Sequence, residues 1–352
     1  MKLYTINQII KVFINFKKTR VMKKNLWFAA LALVAMTSCS NDDVMDVANN
    51  KAIEFKSFVN KNVRAAQGAQ EVSNVENFYV FGEYGDAEGS YGNQVYKNEL
   101  QSTAYYWVDE KYYSFGAYSD GTANAILSNA SFNANEGTLT FPDYTAEDTK
   151  DLVAAVAKVQ CTAPTSKVSL TFNHLLSQVK FTFTTTDADS YKLTISDLKV
   201  HAAKTGTGTY NGTATWTSTY NQTDVYTYEP IDDVSASASV KSAVTESKLV
   251  IPQGNTDQLE VTFTATITDE KDFTKSANFK GTLAVAENVA GTSAANIWKP
   301  GFRYNYTAEI IGDKIDPSLE SHKIQFTPSV ESWQDATLGQ DTKPQKQENP
   351  LP

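Results

Sequence analysis

The sequence predicts an all-β protein made of antiparallel β-sandwiches, and three observations lead there. Apolar and polar residues alternate over long stretches after residue 70, Gly, Asn and Asp recur between those stretches, and helical periodicity is rare. Period-two alternation buries one face of a strand and wets the other, the pattern of antiparallel sandwiches rather than of parallel sheets covered on both faces. The 352 residues, 41% hydrophobic and 12% aromatic, are enough for two or three domain cores.

Residues 1–38 stand apart, with seven Lys/Arg and no acid. Lys23-Lys24-Asn25 followed by the run Leu26 to Met36 has the charged start and short apolar stretch of a secretory signal. About a dozen apolar residues cannot span a hydrocarbon core of roughly 30 Å. The run ends Met36-Thr37-Ser38-Cys39, which resembles a bacterial lipoprotein cleavage box with small residues before an acceptor thiol. The plainer alternative makes Cys39 one more member of the apolar stretch. A second basic and apolar piece, Ile9 to Ile14, precedes Met22, so the true start is expected at Met22. Three acyl chains on Cys39, at about 0.8 kcal/mol per buried methylene, would hold the protein at a membrane where one would not.

Farther along, Tyr105-Tyr106-Trp107 and Tyr112-Tyr113 concentrate aromatics. Such a group suits either core and cross-strand pairs or an exposed platform for sugar rings. Residues 148–159, with Asp148-Thr149 as a cap and the run Leu152-Val153-Ala154-Ala155-Val156, read either as a helix or as a buried strand. Thr162-Ala163-Pro164-Thr165 marks a boundary between two strand-rich halves. Beyond it alternation returns at Val168, Leu170 and Phe172, at Val179, Phe181 and Phe183, and at Tyr191, Leu193 and Ile195. The clearest strand sets Leu259, Val261, Phe263, Ala265 and Ile267 against Glu260, Thr262, Thr264, Thr266 and Thr268. Tyr304, Tyr306, Ala308 and Ile310 complete the series, with turns at sites such as Asp120-Gly121 and Asn211-Gly212. The expected division is a signal region at 1–38, a lipidated segment at 39–64, sandwiches at 65–164 and 165–335, and a polar tail at 336–352. That tail lacks the apolar surface to offset its ordering entropy and is expected to be disordered.

The composition excludes several functions. Outside residues 1–38 the chain has 24 Lys/Arg against 40 Asp/Glu, a net −16, which disfavours nucleic acid and anionic lipid surfaces as partners. Two cysteines, Cys39 and Cys161, rule out a disulfide scaffold. His174, His201 and His322 lie far apart, and each reads as an ordinary strand or loop residue. Asp187-Ala188-Asp189 starts like a calcium loop, yet Leu198 stands where its twelfth-position ligand belongs. Gly206-Thr207-Gly208 lacks the following Gly-Lys-Thr of a phosphate loop, and Gly-x-Ser-x-Gly does not occur. We therefore expect no enzyme, no catalytic or metal-binding residue and no cofactor.

An ordered set of stretches resembles the fimbrillin family, the pilus-subunit lipoproteins of Gram-negative anaerobes. It comprises Ile53-Glu54-Phe55, Arg64, Phe78-Tyr79-Val80-Phe81, Tyr106-Trp107 with Tyr113-Ser114-Phe115, and Asp151-Leu152-Val153-Ala154. It continues through Phe172-Asn173-His174-Leu175-Leu176-Ser177, Ile297-Trp298-Lys299-Pro300-Gly301 with Tyr304-Asn305-Tyr306, and Ile324 to Val330 with Trp333. The resemblance implies two tandem transthyretin-like antiparallel β-sandwich domains without enzymatic activity, and makes the 148–159 run partly strand. It further implies an outer-membrane lipoprotein on the cell surface. The acids of Ser40-Asn41-Asp42-Asp43 behind Cys39 resemble a signal that sends lipoproteins to the surface; alternatively they are an ordinary polar tether. Cleavage after Arg64 would leave Ala65 first and remove a strand carrying Ile53, Phe55 and Phe58. A strand from a neighbouring fimbrial subunit would fill the groove.

Elementary physics is compatible with that scheme. Burying three such side chains contributes on the order of 5–9 kcal/mol, and losing them leaves a sheet edge for another strand. Arg303, the other arginine beyond the signal region, falls in a predicted strand, so an arginine-specific protease would meet one accessible site; alternatively Arg64 is a plain loop charge. Ile324, Phe326, Val330 and Trp333 form a C-terminal strand that either is donated or closes its own sandwich. The competing expectation is a monomeric surface lipoprotein that binds glycan or host protein.

Overall fold

The computed structural model describes residues 51–332, apart from 60–74, 76, 122–125, 163–166, 186–190, 219–220, 222, 233, 235–240, 255–258 and 284–295. Alternating segments build two facing sheets, drawn mostly from the first half of the chain together with a hairpin from later in it. The larger runs, in spatial order, β1 (Phe55–Val59), β8 (Val168–His174), β7 (Val153–Gln160), β4 (Tyr112–Ser119), β2 (Tyr79–Gly85) and β3 (Asn93–Leu100). The smaller runs β12 (Ala214–Ser218), β11 (Thr205–Tyr210), β6 (Thr138–Thr145) and β5 (Ser131–Asn133). Tyr118 of β4 meets Phe141 of β6 edge-on at 5.5 Å, so the two sheets are layers of one sandwich.

The second pair of sheets repeats the arrangement. One holds β14 (Lys241–Val244), β9 (Ser177–Thr185), β20 (Phe302–Glu309) and β22 (Thr327–Ser332), with β15 (Lys248–Val250) also on β9. The other holds β13 (Val225–Thr227), β10 (Tyr191–His201), β17 (Glu260–Asp269), β18 (Thr274–Thr282) and β21 (His322–Lys323). Phe183 and Phe263 join these layers at 5.0 Å. A short ribbon, β16 (Gln253–Gly254) with β19 (Asn296–Trp298), lies beside them in the chain's connections. On β17 the alternating threonines face outward, where Thr264 donates to Asn278 and Thr266 pairs with Ser276.

Residues 153–160 are strand, and the structure explains their ambiguous pattern. The six-stranded sheet is covered on both faces, so Val153, Ala154 and Ala155 are all buried and no wet face interrupts the run. Ala154 joins the core shared with Leu139 and Phe141, while Val153 and Ala155 join a second core with Phe115 and Phe172.

Two features depart from a simple antiparallel reading. Among the described residues three pairings are parallel: β1 with β8, β20 with β9, and β18 with β21. Each links strands distant in sequence, where no hairpin dictates direction. The β11–β12 hairpin follows β10 in the chain, yet pairs with β6 of the first sandwich. There Trp216 Nε1 donates to the Leu175 carbonyl at 2.6 Å, and one apolar core extends from Tyr118 and Leu139 through to Phe181 and Tyr306.

Candidate functional site

Residues 51–59 form the edge of the six-stranded sheet and are held on two sides. Upstream, Ile53 N–H donates to Tyr105 O at 2.7 Å and Lys51 O accepts from Trp107 N–H at 3.1 Å. Downstream, β1 pairs parallel with β8 from Phe55↔Val168 to Val59↔Phe172, and Val168 N–H donates to Glu54 O. Ser57 Oγ donates to Val75 O at 2.9 Å. Lys167 lies 2.6 Å from Glu54 and holds that carboxyl below the usual carboxylate range.

The side chains of this segment divide by parity. Ile53 and Val59 are buried, and Phe55 packs edge-on against Phe78, Tyr96 and Phe115 with ring centroids 5.4–5.9 Å apart. Phe58 points the other way and is 54% exposed. Val59, which the sequence reading left out, therefore contributes to the inner face in its place. A cleft of about 920 Å³ runs along the outer edge of β1, bounded by Val75, Phe78, residues 101–104 and Lys167. Cys39, Arg64, Ala65 and Trp333 lie outside the described residues.

The C-terminal residues sit in the second sandwich. β22 pairs with β20 over six positions, from Phe302↔Ser332 to Thr307↔Thr327. Just upstream the chain crosses from the edge of one sheet, at β21, to the edge of the other. Phe326 enters between the layers at the crossing, with ring centroids 5.4–6.3 Å from Phe181, Phe183 and Phe263. Ile324 and Val330 pack partly buried against the same core. Arg303 lies within β20, between β9 and β22.

The aromatic cluster splits. Trp107 and Tyr113 are core residues 4.7 Å apart, whereas Tyr106 is 55% exposed. Burial pushes the Tyr113 phenol up to about 12. Sequence reasoning missed a fully buried polar pair: His174 Nδ1 lies 2.9 Å from Asp151 Oδ2, with neither side chain exposed. The strand register that sets Val153 opposite His174 creates this pair, and no local sequence signal announces it. Among the described residues, no group of three or more His, Cys, Asp or Glu is arranged to hold a metal ion.

Comparison with known proteins adds context to this geometry. A candidate cell adhesion protein from Bacteroides uniformis aligns at 20% identity, covering 82% of this chain and 99% of that one, with a TM-score of 0.41. A candidate cell adhesion protein from Parabacteroides distasonis aligns at 10% identity over 82% and 98%, with a TM-score of 0.46. The fimbrial anchor protein Mfa2 from Porphyromonas gingivalis aligns at 12% identity over 81% and 98%, with a TM-score of 0.31. No curated protein matches the sequence. The fimbrillin-like family model matches residues 19–333, a span that takes in all the described residues, and the chain belongs to that family.

Proposed function

We propose that the chain is a structural and adhesive subunit of surface fimbriae, exported as a lipoprotein acylated at Cys39 and assembled by strand replacement after cleavage between Arg64 and Ala65. Membership of the fimbrillin-like family supports a fimbrial or adhesive subunit rather than an enzyme. The observation that carries the finer reading is the placement of β1. It is an edge strand that precedes residue 64, yet its Phe55 completes a ring cluster of Phe78, Tyr96 and Phe115. Its departure would leave an apolar trough and unpair Tyr105 O, Trp107 N–H and Val168 N–H, groups that an incoming strand restores.

The seat also defines the strand it accepts. Ile53, Phe55, Ser57 and Val59 lie at alternate positions, and Ile324, Phe326, Pro328 and Val330 repeat the same spacing. In the parallel ladder Glu54 bonds to β8, so the backbone of residue 57 points away from β8 and a proline there costs no ladder bond. Other fimbrial subunits, including a second copy of this chain, are therefore the expected partners. Here β22 occupies its own sandwich, so donation requires it to leave β20. Mass spectrometry of the mature N-terminus in native outer-membrane and shed-fibre fractions tests this reading. A start at Ala65 supports it. Acylated Cys39 as the only N-terminus withdraws strand replacement and favours an anchored monomer that binds glycan or host protein.

A further inference from the structure

Once β1 leaves, β8 becomes the strand that must wait for a partner, and its remaining support is uneven. β1 pairs with β8 over five positions. On the other side β7 pairs with β8 only at Val153↔His174 and Ala154↔Asn173, continued by Leu175 N–H donating to Leu152 O at 2.9 Å. Residues Val168–Phe172 thus depend on β1 for their described strand pairing, whereas His174 does not.

β8 also runs straight on into the second sandwich. Leu175 and Leu176 alone separate it from β9, which pairs with β20, the partner of β22. Disorder in β8 therefore has a covalent path toward the sheet that seats the C-terminal strand. The four residues His174, Leu175, Leu176 and Ser177 at this junction are fully buried. Trp216 Nε1 donates to Leu175 O at 2.6 Å, Gly301 N–H to Leu176 O at 2.8 Å, and Ser177 Oγ to Lys299 O at 2.6 Å. The buried Asp151–His174 pair closes the junction on the β8 side. Breaking a buried pair of this kind by removing one partner leaves a polar group stranded in the core, a far larger effect than losing a surface contact.

We propose that the Asp151–His174 pair is a positioning device that stops the opening of the groove from spreading along β8 into β9. Opening is confined to Val168–Phe172, where an incoming strand must pair, and the second sandwich stays closed. This rests on β1 being the strand that is exchanged, and it assigns to the Phe172–Ser177 stretch a role separate from that exchange.

Hydrogen exchange on the full chain separates the two ideas. Phe55→Asp unseats β1 without shortening the protein. With the pair intact, amides of Val168–Phe172 are expected to exchange at least about tenfold faster than in the unaltered chain, with Ser177–Phe183 unchanged. Adding Asp151→Leu, which puts methyl groups where the carboxylate oxygens lie and so removes the acceptor of His174 Nδ1, should carry the acceleration into Ser177–Phe183. If Val168–Phe172 stays protected in Phe55→Asp, the assignment of β1 fails, and the inference with it. If acceleration reaches β9 with the pair intact, or halts at Phe172 with it broken, the pin alone fails. Should the double variant not fold, the same comparison is made with Asp151→Leu alone under mild denaturant. Coincident opening of β8 and β9 is expected there, against separate openings in the unaltered chain, and separate openings in both overturn the pin.

Discussion

Phe55 and Phe58 are the same residue type three positions apart on one strand, and the structure assigns them opposite roles. Phe55 makes edge-on contacts with Phe78, Tyr96 and Phe115, each worth about 0.5–1.5 kcal/mol beyond simple area burial. Truncating a fully buried phenylalanine to alanine costs about 3–5 kcal/mol, and Phe55 is half-buried. Phe55→Ala is therefore expected to destabilise the protein by about 3 kcal/mol. Phe58, 54% exposed, should cost no more than about 1 kcal/mol, as surface substitutions do. Urea titration followed by tryptophan fluorescence reads both, and Trp107 sits in the affected core. With an m-value of about 3 kcal/mol/M, the Phe55→Ala midpoint should fall by roughly 1 M while that of Phe58→Ala barely moves. Equal shifts, or a larger one for Phe58→Ala, would refute the inward placement of Phe55 and the seat built on it.

Other outcomes follow from the same packing. A Cβ at Gly208 would lie 3.0 Å from the Trp216 ring, so Gly208→Ala should displace the indole from Leu175 O and cost about 1–3 kcal/mol, visible as a lower melting temperature and a shifted tryptophan emission. Burial pushes the Tyr113 and Tyr304 phenols up to about 12, against about 10 when unfolded. The unfolded chain loses these protons first, so their contribution is complete below pH ~10 and is lost as pH rises toward 12; a titration of tyrosinate absorbance alongside circular dichroism should show that loss. The Cys161 thiol is buried and pushed above its ordinary value, so iodoacetamide should modify it only at the rate of unfolding, as read by peptide mass spectrometry.

How much the sequence disclosed depended on how many faces of a strand are covered. β17 was legible because one face is core and the other carries threonines, which keeps the alternation intact. The run at 152–156 was not, because both faces of its sheet are buried and the alternation disappears. Parity within the first strand was available but mixed: residues 53 and 55 share a face and residue 58 does not, so Val59 rather than Phe58 belongs to the inner set. The parallel seams, the β11–β12 hairpin on β6 and the Asp151–His174 pair were beyond reach. They depend on strands meeting across 21 to 125 residues, from Val153↔His174 to Arg303↔Gln178, which local pattern does not encode.

The most direct measurement compares unheated denaturing gels of shed-fibre fractions from cells making the native chain or Arg64→Ala. If β1 is cut away and replaced by a partner's strand, the native chain gives heat-sensitive ladders and Arg64→Ala gives a single band. Ladders of equal strength from both, or from neither, would contradict strand replacement at this site.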